Sequence, residues 1–175
     1  MDIGVLILRL IVGSILFVHG MQKARGWFEG PGINGAAAMF EKIGQQPPRQ
    51  KVRLAIACEV SAAGLLVFGL ATPLAAAIAA ATMLVAGAAL TTLTGKVWIT
   101  SGGGEYPLVL GALAVVIGFT GPGAYSLDAV TGLDSWTASH STVAGILVVA
   151  VALVGASQPI ISTRRILTRR GADTK

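Results

Sequence analysis

Arg9, His19, Lys23, Glu59 and Glu105 interrupt or border segments that are otherwise almost wholly apolar. An ionisable side chain at membrane depth costs roughly 2.5–3.5 kcal/mol on insertion scales, so each needs a partner or a function. His19 and Lys23 are four residues apart and share one helix face. With a rise of about 1.5 Å per residue, His19 lies roughly 6 Å inside the level of Lys23, and Glu59 roughly 9 Å beyond Arg53, where its own apolar segment begins. Glu105 follows Gly102-Gly103-Gly104 at the entrance to a later apolar segment. His19, Lys23, Glu59 and Glu105 are therefore expected to meet at one level, in a pocket opening to the cytoplasm. An imidazole titrates near neutral pH, and withdrawal from water favours the neutral form of a carboxyl group, so such a cluster suits proton handling. Two carboxylates, an imidazole and an ammonium group also suit the polar head of an apolar molecule such as a quinone. The plainer role for His19 is a hydrogen bond to a neighbouring helix.

Arg9 lies nearer the opposite face, roughly 13 Å from Glu59 along the membrane normal. Its side chain can reach inward to Glu59 or outward to Asp128, making Arg9, Glu59 and Asp128 candidates for structural ion pairing. No ExxH or HExxH spacing occurs, so no metal site is expected. The single cysteine, Cys58, can form neither an internal disulfide nor a CxxC pair. It reads as a small buried apolar residue. The glycine run lacks the spacing of nucleotide-binding loops and reads as a flexible turn, with Glu105 at the positive end of the helix that follows.

These residues need helices to position them. Of the 175 residues 54% are hydrophobic and 12% charged, about half the charge fraction of a soluble domain. Apolar segments run over 3–22, 54–70, 74–93, 106–120 and 142–161, against about 20 residues needed for a span. The net charge of +5 is concentrated between the first two segments and after the last, a pattern of cytoplasmic loops rather than of nucleic-acid binding. With five spans and the amino terminus outside, all of the 13 basic residues except Arg9 fall on the cytoplasmic side. The expectation is therefore a multi-pass protein, N-out and C-in. Ile33, Ala36, Ala37, Phe40 and Ile43 recur at helical spacing, which predicts an interfacial helix near 33–44, capped by Asn34 and stopped by Gly44 and Pro47-Pro48. The first segment lacks a basic n-region and a clear cleavage site and is expected to remain as a helix. Abundant Gly, Ala and Ser imply a tight bundle.

Five motifs in order carry a family resemblance: L-R-L-I-V-G-S-I-L-F-V-H-G-M-Q-K from Leu8 to Lys23, Glu59 in the second apolar segment, G-L-A-T-P from Gly69, G-G-G-E-Y from Gly102, and G-P-G-A-Y-S-L-D from Gly121 to Asp128. Over about residues 5–130 the chain resembles the DoxX family of small bacterial membrane proteins. The resemblance implies an all-α membrane protein, with a four-helix transmembrane bundle over 1–130. A loop and fifth transmembrane helix over 131–161 and a basic cytoplasmic tail over 162–175 lie outside that core. It also implies the bacterial cytoplasmic membrane and a link to redox processes. Some members look like subunits of a quinone-reducing thiosulfate oxidoreductase, and others accompany oxidative-stress or thiol-handling proteins. The implied role is a small subunit of a redox complex, with a protein partner, the lipid bilayer and a possible homo-oligomer around it. Its ligand could be a quinone, with no covalently bound cofactor. A quinone-reactive component acting directly, or a purely structural protein, are the alternatives.

Overall fold

The computed structural model describes residues 2–173, all of them in helices or their connections. Five long helices carry the architecture: α1 (Asp2–Arg25), α3 (Pro48–Phe68), α4 (Thr72–Thr94), α5 (Glu105–Thr120) and α8 (Ser141–Asp173). Three shorter ones lie between them: α2 (Gly32–Lys42), α6 (Leu127–Thr131) and α7 (Ser135–Ser139). α1, α4 and α8 are long and apolar enough to cross a bilayer, and α5 is a shorter apolar helix. α3 places its charges in its first two turns, at Arg49, Lys51 and Arg53, and then at Glu59. The protein is an all-α membrane protein.

α4 is the central helix. Its alanines at 75, 76, 77, 79 and 80 are buried, and their small size lets α3, α5 and α8 approach it together. α1 packs chiefly on α3 and also touches α5, which closes a four-helix bundle of α1, α3, α4 and α5. α8 packs against α4 and α5, and its Val148 and Ala152 join the same buried core. α4 and the start of α5 approach closely, so that a Cβ on Gly104 would overlap the backbone of Gly87.

At the end of the bundle holding Asp2, three elements are locked together. α3 stops at Gly69, which takes the left-handed conformation at φ +63°, and Ala71 follows at φ +46°. Pro73 then starts α4 without needing its missing N–H. The free N–H groups of Ala71 and Thr72 donate to the two carboxylate oxygens of Asp128, at 2.7 and 2.8 Å. Asp128 thus caps a helix 56 residues away in sequence.

Four features depart from the sequence reading. The 120–141 connection is not plain loop; it contains α6 and α7. Asn34 does not cap α2. Pro31 holds that position, and the Asn34 side chain instead accepts a hydrogen bond from Arg49 at 2.8 Å. α3 begins six residues before the expected 54, because Pro48 starts it and its basic first turns still form helix. The basic tail expected over 162–175 is not a separate segment. α8 runs through Pro159 to Asp173; Thr174 and Lys175 lie outside the described residues. At about 1.5 Å per residue its 33 residues span about 50 Å, some 20 Å more than a hydrocarbon core. Its last turns pack against the segment after α2, where Gln45 donates to Thr163 at 2.7 Å with both side chains buried. Leu167 packs on Gly44, and Arg170 donates to the carbonyl of Glu41.

Candidate functional site

Near the end of α1, Lys23 reaches across to α3 and donates to both carboxylate oxygens of Glu59 at 2.8 Å. Its remaining donor faces the carbonyl of His19 at 3.4 Å. Glu59 is 3% exposed and Lys23 21%, so the ammonium is the more open half of the pair. A buried carboxylate is tolerable only with such a partner, since taking one ion of a buried pair away strands the other. The approach of α1 to α3 at this level is set by Gly20, where a Cβ would overlap the Val60 side chain. One turn above Lys23 the His19 ring meets Tyr106 of α5 edge-on, with centroids 5.6 Å apart.

These four residues stand on the wall of a cavity of about 580 Å³. Its floor is one stripe of α4, from Leu74 through Ala81 and Thr82 to Leu90, and its sides are α3 and α8, with Leu54 on one and Gly155 and Pro159 on the other. α2 and the residues after it cover one end with Met39, Phe40, Ile43 and Gln45. Leu54 and Leu74 are more than half exposed, so the cavity is a groove that opens sideways between helices. An apolar groove with a few convergent polar groups is the usual form of a small-molecule site.

The structure brings together three of the four residues expected at one level: His19, Lys23 and Glu59. Glu105 is not with them. It does not line the groove, and its carboxylate accepts the backbone N–H of Ile99 at 2.9 Å. A helical side chain covers the turn N-terminal to its own Cα, and from the first position of α5 that turn is the 99–101 connection. Its neighbour Tyr106 takes the place in the groove.

Arg9 does not pair with Glu59. It is fully buried, and its guanidinium donates to the carbonyls of Pro122 and, at 2.6 Å, of Tyr125. Asp128 makes no contact-distance salt bridge with Arg9, since its two oxygens accept the N–H groups at the start of α4, but its charge lies close enough to act on the guanidinium. Among the described residues Lys23–Glu59 is the ion pair within contact distance, and no group of three His, Cys, Asp or Glu side chains gathers as metal ligands would. Cys58 is half-buried rather than buried and lines the groove. Lys51, Gln22 and Gln45 also line it and were not marked by the sequence. For Lys51 the signal lay in helical periodicity from Glu59, since Lys51, Leu54, Ala55, Cys58 and Glu59 form one stripe of α3; Gln22 and Gln45 lie on other segments and had no such signal.

Comparison with known proteins places the chain in a family. The family model described as DoxX matches residues 4–92. The chain belongs to the DoxX family. A relative, "Putative oxidoreductase CatD" of Bacillus subtilis (strain 168), is 31% identical over 127 residues, which cover 73% of this chain and 86% of that protein. No solved structure matches. The matched DoxX region contains α1 to α4 and with them His19, Lys23 and Glu59; α5 and α8 of this DoxX protein lie beyond it.

Proposed function

We propose that this DoxX protein is a small bacterial plasma-membrane subunit of a redox- or stress-linked assembly, and that its groove seats a membrane-soluble amphiphile against His19, Lys23 and Glu59. The observation that carries this reading is the ion pair on the wall of a mostly apolar groove. A pair serving only to join helices gains nothing from bordering a cavity. The proposed orientation is N-out and C-in, from the placement of the basic residues. Electrons, where the assembly transfers them, come from a cofactor on a protein partner.

The test is mass spectrometry of what copurifies on gentle extraction from the native membrane. The expected result is an amphiphile in near-equal amount and a recurring redox enzyme, both depleted in Glu59→Gln. Ordinary phospholipid alone, in wild type and variant alike, would contradict the reading. A second reading, direct quinone-reactive oxidoreductase, has the printed name of the Bacillus relative in its favour. It predicts turnover by the isolated protein, lost in Glu59→Gln.

A further inference from the structure

We infer that the groove binds a long-chain fatty carboxylate, with its hydrocarbon chain along α4 and its carboxylate at Lys51. This rests on the reading of the groove as a ligand site and names the class of ligand.

Size comes first. The groove follows α4 from Leu74 to Leu90, about 24 Å at 1.5 Å per residue, whereas one leaflet of a 30 Å hydrocarbon core is about 15 Å deep. It is long enough for a whole chain. Its volume of about 580 Å³ leaves room for an extended hydrocarbon chain. The half-exposed edges at Leu54 and Leu74 let a chain enter from the bilayer without crossing water.

Charge decides the head. Lys23 is satisfied by Glu59 and by the carbonyl of His19, so that pair contributes no net charge. Lys51 lines the same groove, is half-buried, and has no side-chain partner among the described residues. It lies three residues after the Pro48 that opens α3, where the helix passes from its basic first turns into its apolar run. The carboxylate of a fatty acid in a membrane rests at that polar boundary. A carboxylate there gives Lys51 the charge-assisted hydrogen bond it lacks.

Cys58 is the chain's single cysteine and lines the groove, so its alkylation by N-ethylmaleimide reports whether the groove is filled. In phosphatidylcholine nanodiscs, oleate is expected to slow alkylation, and neutral methyl oleate to need about tenfold more for equal protection. Lys51→Met should abolish this preference while leaving protection by methyl oleate unchanged, and Lys51→Arg should keep it. Equal protection by methyl oleate or by a neutral isoprenoid quinone would overturn the inference. So would a preference that survives Lys51→Met, or protection by phosphatidylglycerol that oleate cannot increase. If no amphiphile of either charge protects Cys58, the ligand-site reading itself falls.

Discussion

Two charged residues in the first helix do opposite work. Arg9 is consumed by structure: its guanidinium lies against Gly69, where a Cβ would overlap it, and binds the carbonyls of the connection before α6. Lys23 stands on a groove. The sequence marks both as needing partners but cannot say which, because the partners of Arg9 are backbone carbonyls that carry no residue identity. The pairing of Lys23 with Glu59 was legible as a shared depth, and Glu105 met the same depth criterion while pointing elsewhere. Axial position follows from residue number, whereas side-chain direction depends on where the helix begins. Asp128→Ala leaves two helix-start N–H groups without an acceptor and should cost about 3 kcal/mol, with Asp128→Asn costing less because one oxygen remains. Gly69→Ala should destabilise at least as much as Asp128→Ala, through both the left-handed backbone and the overlap with Arg9. Thermal unfolding in detergent reads all three, and an unchanged midpoint for Asp128→Ala would remove its capping role.

At the scale of elements, the apolar runs gave all five long helices, and periodicity gave α2, because burying one face imposes a period the sequence must keep. The ends were less visible. The charged opening turns of α3 broke the apolar run without breaking the helix, and Pro159 did not stop α8, whose neighbours on α4 hold it in place. Nor did the sequence disclose that the basic end of α8 packs against the segment after α2, since the hydrogen bond from Gln45 to Thr163 joins two ordinary polar residues 118 positions apart. That contact ties α8 to the segment covering one end of the groove. Thr163→Val combined with Leu167→Ala should loosen this cover and speed alkylation of Cys58, with the unfolding midpoint of the bundle little changed. An unchanged alkylation rate would show that the tail of α8 has no hold on access.

For the whole molecule, composition alone identified the solvent, since 12% charged residues leave the helices little but lipid to face. The asymmetry of the basic residues predicts which side each end occupies. In a Cys58→Ser background, a membrane-impermeant maleimide should label Ser139→Cys on intact cells and Thr168→Cys only after the membrane is opened. The reverse pattern would invert the topology. Whether the Lys23–Glu59 pair serves the groove or the fold is read from the double variant Lys23→Met/Glu59→Met. Apolar replacement of a whole buried ion pair is often neutral or stabilising. If the pair serves the groove, the unfolding temperature equals or exceeds that of wild type and the copurifying amphiphile is lost. A lowered unfolding temperature with the amphiphile retained would contradict that role and make the pair a device for holding α1 to α3.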